Sequence, residues 1–374
     1  MEFIDLTEQY SLLKNRIDKN IQKVLEHGKY ILGPEVTELE EKLGEYTGVK
    51  HVISCSSGTD ALLMPLMAWG IGRGDAVFTT VFSFIAAAEV ICLLGATPVF
   101  VDIDPYTYNI SPGLLEEAIN KTISEGKLKV KAVIPVDLFG VPADYDRIQA
   151  IAHTYGLKVL EDAAQGFGSV YKGRKACSFG DAAGTSFFPA KPLGCYGDGG
   201  AIFTNDDRLA EELRSIRVHG KGTDKYDNIR TGINGRLDTL QAAILLAKLD
   251  VFDDELEARN CVAAKYTSGL SNIVTTPVIP DGLKPCWAQY SVLASDSKER
   301  RVFTERLAWS GIPTAIYYPK PLHLQTVYSH LGYRHSDFPV AENISNRVFS
   351  LPMHPYLSDM DIEEIVRVMM DYER

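Results

Sequence analysis

The stretch SFFPAKPLGCYGDGGAIFTND, Ser186 to Asp206, holds one lysine, Lys191, set between Pro189 and Pro192 and behind Phe187 and Phe188. A free lysine amine has a pKa of about 10.4, so near neutral pH it is a nucleophile in only about one molecule in a few thousand. Burial beside aromatic rings disfavours the ammonium, and condensation with an aldehyde cofactor to an imine removes the obstacle altogether. The two prolines restrict the backbone that carries the amine. The glycines of GDGG, residues 197–200, let the chain approach a ligand closely. Taken alone, a lysine in a loop is more often a solvated surface charge, so Lys191 gains weight only from its surroundings.

On either side the chain alternates between short apolar runs and amphipathic segments. HVISC (51–55), DAVFTT (75–80), TPVFVDI (97–103), VKAVIPV (130–136), LKVLED (157–162) and GAIFTN (200–205) read as buried strands. IAAAEVICLLG (85–95), SPGLLEEAIN (111–120, with Ser111 and Pro112 as start signals) and DYDRIQAIAHTYG (144–156) read as helices between them. Such alternation predicts an α/β fold with a mostly parallel sheet covered by helices on both faces. Ligands of open parallel sheets gather beyond the carboxyl ends of the strands.

Two helices lead in. Leu13, Ile17, Ile21, Val24 and Leu25 recur at helical spacing up to Gly28, and Pro34 opens a second helix with Val36, Leu39 and Leu43 on one face. Beyond Asp238 the segments become longer and more helical, followed by the strand-like CWAQYSVLA (286–294) and a final helix after Ser358. The expected division is a large domain over 1–238 and a smaller α+β domain over 239–374.

At 374 residues the chain exceeds the usual single core. Its 45% hydrophobic and 23% charged content is that of a globular protein with a substantial core. A net charge of −11 argues against a nucleic-acid or anionic-membrane surface. No stretch reaches the roughly 18 apolar residues of a membrane span, and the N-terminus lacks a basic region with an apolar core, so a cytoplasmic protein is expected. The six cysteines are dispersed without a C-x-x-C pair and read as reduced thiols. His330 and His335 share a polar stretch that reads as a solvated loop, and no metal is expected.

Two further motifs carry chemistry. In KVLEDAAQGFG (158–168), Asp162 follows a buried apolar run, which places it at the carboxyl end of a strand, facing the ligand crevice. A carboxylate there can pair with a protonated heteroaromatic nitrogen, as in pyridoxal phosphate enzymes, although a simple helix cap is the blander reading. Gln165, three residues on, can donate to a neighbouring phenolate oxygen. In ISCSSGTDALL (53–63), a strand and a small-residue turn lead into a helix near Gly58 and Thr59, whose free amides suit a phosphate. The motif is neither the dinucleotide G-x-G-x-x-G nor a Walker loop.

In this order, Gly58–Thr59, Asp162–x–x–Gln165 and Ser186–x–x–x–x–Lys191 resemble the pyridoxal-phosphate sugar aminotransferases of the DegT/StrS family. The resemblance runs through YILGPEVTELE (30–40), SSGTDAL (56–62), GATPVFVDID (95–104), EDAAQ (161–165), GINGRLDTLQAAIL (232–245) and LPMHPYL (351–357). It implies the aspartate-aminotransferase-like (type I) fold and pyridoxal 5′-phosphate as cofactor. It further implies Lys191 as the imine-forming lysine and proton shuttle, and Asp162 as the partner of the pyridinium. Gln165 would contact the ring oxygen, Phe84 would stack on the ring, and Gly58, Thr59 and Ser186 would bind the phosphate. Asn234 matches a residue supplied by the second subunit, which implies a homodimer with shared sites.

The family likeness is strongest to aminotransferases of UDP-linked 3-keto hexuluronic acids, with glutamate as amino donor, in surface-polysaccharide synthesis. Arg236 matches an arginine of the uronate-specific members. Their His-Tyr pair reads Tyr317–Tyr318 here, which weakens the case for a carboxylate at that point. The alternatives are a 4-keto-6-deoxy nucleotide-sugar aminotransferase, a pyridoxamine-dependent sugar 3-dehydratase, which Lys191 speaks against, and a regulatory or binding protein that kept the fold. Seen singly, Phe84 reads as core, Ser186 as a strand hydroxyl and Asn234 as a turn residue.

Overall fold

The computed structural model describes residues 1–224 and 226–371. The strands are β1 (His51–Cys55), β2 (Asp75–Thr80), β3 (Thr97–Val101), β4 (Lys129–Ile134), β5 (Lys158–Asp162), β6 (Val170–Tyr171), β7 (Arg174–Lys175), β8 (Ala182–Ser186), β9 (Gly200–Thr204), β10 (Leu283–Lys284), β11 (Tyr290–Leu293) and β12 (Val348–Leu351). The α-helices are α1 (Leu6–His27), α2 (Pro34–Thr47), α3 (Gly58–Ala68), α4 (Ala86–Leu93), α5 (Pro112–Glu125), α6 (Tyr145–Tyr155), α7 (Asp207–Ile216), α8 (Thr239–Leu249), α9 (Phe252–Leu270), α10 (Ser297–Trp309), α11 (Pro339–Arg347) and α12 (Asp359–Met370).

Seven strands form the central sheet in the order β1-β9-β8-β5-β4-β2-β3. The pairs β2–β3, β2–β4, β4–β5 and β5–β8 are parallel, whereas β9 runs antiparallel to both β1 and β8. GAIFTN is thus a strand, as its apolar run predicts, but of opposite direction to its neighbours. Because side chains alternate along a strand, Ile202 packs on one face with Leu62, Val90 and Leu213, and Phe203 on the other with Val36 and Leu245. Farther along, α5 and α6 close that other face over Phe78, Val133 and Val159. The sheet is therefore buried on both sides, which is why its strands read as continuous apolar runs.

The helix boundaries follow local chemistry. Asp5 Oδ1 accepts from Glu8 N at 2.8 Å to start α1, and Gly28, at φ 68°, ends it in the left-handed conformation. Pro34 sits in the first turn of α2. Ser358 and Asp361 form a reciprocal capping box at α12.

After Asp238, helix α8 lies against α1 and α2, with Leu245 and Leu246 in the same cluster as Val36 and Leu39. The C-terminal region then builds a separate core: the antiparallel pair β11–β12 with α9, α10 and α12, around Tyr266, Tyr290, Phe303, Phe349 and Ile365. A further cluster, including Val81, Phe82, Leu322 and Tyr328, joins this region to the large sheet. All six cysteines are free. Among the described residues no helix is long and apolar enough to cross a membrane, and no cluster of metal-ligating side chains is present.

Candidate active site

The parallel strands β1, β2, β4, β5 and β8 all end at one edge of the sheet, and there the chain leaves a cavity of about 630 Å³. It is lined by Gly58, Thr59, Phe84, Asp162, Gln165, Ser186, Lys191, Tyr317 and Tyr318. Nine of the positions singled out in the sequence thus meet at one place, as the strand-end rule requires. Two other concavities, of about 490 and 1060 Å³, lie along the sheet edge at β3 and beside α12. Neither brings together such a set, so chemistry rather than size selects the site.

Asp162 is the last residue of β5, and turns rather than a helix follow it, which removes the helix-cap reading. Its Oδ1 accepts from Ala164 N at 3.1 Å. The carboxyl is 5% exposed, and burial pushes its pKa up to about 6 against the opposing Ala164 N–H and Lys191. A buried carboxylate so sparsely compensated favours a cationic partner, which is what a pyridinium nitrogen offers.

Lys191 follows β8 on a turn whose backbone is tied by its own N–H donating to Phe188 O at 2.8 Å. Burial lowers its pKa from the ordinary lysine value, with Asp162 only partly opposing. That is the direction a nucleophilic amine needs. The two phenylalanines before it part company: Phe187 is fully buried in the core, while Phe188 is 51% exposed and lines the cavity.

The anion seat is built by backbone. Ser57 caps α3, its Oγ accepting from Asp60 N at 3.1 Å and its carbonyl from Ala61 N at 3.0 Å. The amides of Gly58 and Thr59, ahead of these, are left to a ligand at the positive end of the helix. Gly58 also allows Ser186 to stand close: a Cβ at position 58 would lie 2.6 Å from Ser186 Cβ. Two amides and a hydroxyl on one spot are a phosphate-binding donor set.

Gln165 is held by both ends of its amide. Phe139 N donates to its Oε1 at 2.8 Å, which turns the NH2 group towards the cavity, where Nε2 donates to Tyr318 Oη at 3.0 Å. Phe84 is 58% exposed at the mouth rather than in the core. The residues therefore fit pyridoxal phosphate at each of its groups: amides and hydroxyl for the phosphate, a carboxylate for the ring nitrogen, an amide donor for the ring oxygen and an amine for the aldehyde.

Asn234 and Arg236 do not line this cavity. The Gly235 carbonyl between them accepts from Ser56 N at 3.1 Å, which ties their segment to the end of β1, yet the Asn234 side chain is exposed. Arg236 is half-buried with its Nε unpartnered. The structure adds lining residues that the sequence does not single out, among them Ile4, Ser83, Asp198 and Gln289. Asp198 lay within the glycine-rich GDGG; nothing in the local sequence marks the others.

The family model of the DegT/DnrJ/EryC1/StrS aminotransferases matches residues 11–370. The UDP-2-acetamido-2-deoxy-3-oxo-D-glucuronate aminotransferase of Pseudomonas aeruginosa is 50% identical over 366 residues, 98% of each chain. A DegT/DnrJ/EryC1/StrS aminotransferase from Brucella abortus superposes with a TM-score of 0.97 at 53% identity, covering 100% of this chain and 99% of that one. DesV of S. venezuelae, solved with a ketimine intermediate, does so with a TM-score of 0.94 at 35% identity, covering 100% and 98%. With likeness of this extent laid over a site already suited to the cofactor, the chain belongs to the DegT/DnrJ/EryC1/StrS aminotransferase family and is a transaminase that uses pyridoxal 5′-phosphate.

Proposed function

We propose that the protein moves an amino group from glutamate to the 3-keto group of UDP-2-acetamido-2-deoxy-3-oxo-glucuronate, in the cytoplasm, as a step of surface-polysaccharide synthesis. The observation that carries the reaction type is the meeting of Lys191 and Asp162 at the ends of β8 and β5, in one cavity with the Gly58–Thr59 amides. The half-identical Pseudomonas relative supports the 3-keto uronate over a 4-keto-6-deoxy sugar.

When bound, pyridoxal phosphate supplies an aldehyde that takes up amines and a ring that accepts the electron pair released at the reacting carbon. Lys191 Nζ would hold the cofactor by that aldehyde and, once free, would carry the proton to and from the substrate carbon. Asp162 would face the ring nitrogen and favour its protonated form, which would strengthen the ring as an electron acceptor. The fixed Gln165 amide would donate to the ring oxygen, Phe84 would cover the ring, and Gly58, Thr59 and Ser186 would hold the phosphate. Tyr317 and Tyr318 border the acceptor's side of the cavity.

We assign residues 1–238 to cofactor binding and 239–374 to a smaller domain that brings Tyr317 and Tyr318, although α8 at the start of the latter packs in the core of the former. We further assign the protein as a homodimer in which Asn234 and Arg236 serve the partner's site, Arg236 reaching the uronate carboxylate as a two-pronged donor. Supporting this are the exposed Asn234 and a group of large exposed apolar side chains near the cavity mouth and on the 219–236 segment: Phe84, Phe188, Tyr226 and Ile229. The test is a panel of 3-keto and 4-keto nucleotide sugars, with and without the carboxylate, incubated with glutamate and read by mass spectrometry. Amination of the 3-keto uronate ahead of the others is expected, and preference for a 4-keto sugar would overturn the assignment.

A further inference from the structure

We infer that the N-terminal strap, Phe3 and Ile4, is part of the acceptor-sugar site and discriminates between the two substrates that share the cavity. This rests on the proposed function above, in which a small amino donor and a large nucleotide sugar use one cavity in turn. Ile4 lines that cavity, although it is 158 residues before Asp162 in sequence and precedes the first helix. Its neighbour Phe3 packs against Tyr317, with ring centroids 6.3 Å apart. The strap is pinned at both ends of this short stretch: Met353 N donates to Phe3 O at 3.2 Å, and Asp5 caps α1. The Met353 anchor is itself fixed from inside the protein, its carbonyl accepting from the buried Arg259 Nη1 at 3.1 Å.

The cavity has depth, and the two substrates need different parts of it. Asp162 and Gln165, 5% and 3% exposed, lie at the floor, whereas Phe84 and Phe188 stand half in solvent at the mouth. Ile4, Phe3 and Tyr317 are themselves only partly buried, so the strap belongs with the outer wall. Glutamate must bring its amine to Lys191 and is far smaller than a nucleotide sugar, so it needs only the inner part of the cavity. A nucleotide sugar whose keto carbon reaches the same lysine must extend outward past the wall that Ile4 and the Phe3-braced Tyr317 make. Contacts made only by the larger substrate change its reaction and leave the smaller one's affinity aside, which is specificity by differential binding. An apolar wall suits the flat or methyl-bearing surfaces of the acceptor, while the polar donors at the floor orient it.

The test uses full-length enzyme loaded with its cofactor, with each half-reaction followed separately by the change in cofactor absorbance. The donor half uses glutamate; the acceptor half uses UDP-2-acetamido-3-amino-2,3-dideoxyglucuronate in the reverse direction. For Ile4→Ala, kcat/KM of the sugar half-reaction is expected to fall roughly tenfold more than that of the glutamate half-reaction, mainly through KM. A Phe3→Trp reporter, titrated with UDP-N-acetylglucosamine, is expected to give a saturable fluorescence change that glutamate does not produce. Equal losses in both half-reactions, or a reporter that responds to neither or equally to both ligands, would overturn the inference. Wild-type enzyme that aminates no member of the sugar panel would instead refute the proposed function, and the Phe3→Trp titration would still judge the strap, since it needs no turnover.

Discussion

Replacing Asp162 by asparagine sets stability against function, and the size of the conflict follows from the site. Burial raises the carboxyl from its ordinary 3.8 to about 6. At roughly 1.4 kcal/mol for each tenfold change in proton affinity, that corresponds to about 3 kcal/mol. The sign is that of an acid whose folded pKa exceeds its unfolded value. The folded state prefers the protonated form, so the penalty is absent below 3.8, grows as pH rises between 3.8 and about 6, and is complete above that. Asparagine keeps the oxygen that accepts from Ala164 N and carries no charge to bury. Cofactor-free Asp162→Asn is therefore expected to melt above cofactor-free wild type at pH 8, by up to about 3 kcal/mol, with about half of the gain left at pH 5. With pyridoxal phosphate bound the order should reverse, because wild-type Asp162 then gains a cationic partner that asparagine cannot match. Turnover should fall by at least about a hundredfold, in the range of lost electrostatic stabilisation. Melting curves of both proteins, with and without cofactor at pH 5 and pH 8, check each part. A cofactor-free variant no more stable than wild type at pH 8, or a gain that does not shrink at pH 5, would refute the reasoning.

Three other outcomes follow from neighbouring residues. Lys191→Ala is expected to abolish turnover and borohydride-stable labelling by the cofactor, both read by mass spectrometry and absorbance; near-normal rates would exclude the assignment. Gly58→Ala drives a methyl group to within 2.6 Å of Ser186 Cβ, so it should cost about 1–3 kcal/mol in overpacking and weaken cofactor affinity about tenfold or more, measured by equilibrium dialysis. Asp137 and Glu161 are both buried below Asp162. Glu161 accepts from Cys177 N at 2.6 Å and Phe179 N at 2.8 Å, and Asp137 from Tyr145 Oη at 2.7 Å. Burial pushes Asp137 up to about 7 and Glu161 well above its usual range, so the pair is expected to share a proton. Ionising Asp137 should destabilise the fold as pH rises from 3.8 towards 7, and Asp137→Asn should flatten the decline in melting temperature between pH 5 and pH 8.

The helices were legible because their signals are local. Ser111 before Pro112, Gly28 after the α1 face and Ser358 before α12 act within one turn of the residues they cap. Asp162 was legible for a similar reason, since a carboxylate directly after a buried apolar run must sit at a strand end. Phe84 could not be read locally: an aromatic among alanines looks like core, and only the packed structure puts it at the cavity mouth. The direction of β9 was equally hidden, because a buried strand has the same apolar run whichever way it runs.

The residue order by itself determined the alternation of strands and helices, the positions of Lys191, Asp162 and the Gly58 turn on those elements, and the kind of chemistry they support. Each of these depends on groups a few bonds apart. The tertiary structure alone decided that Asp137 lies against Glu161, 24 residues away in sequence, that Ile4 joins a wall with Tyr317, and that Asn234 is exposed and does not line the cavity of its own chain. Such contacts are set by how the sheet twists and the C-terminal region docks. That depends on the sum of many weak packing terms spread over the whole chain, which no short stretch of residues records.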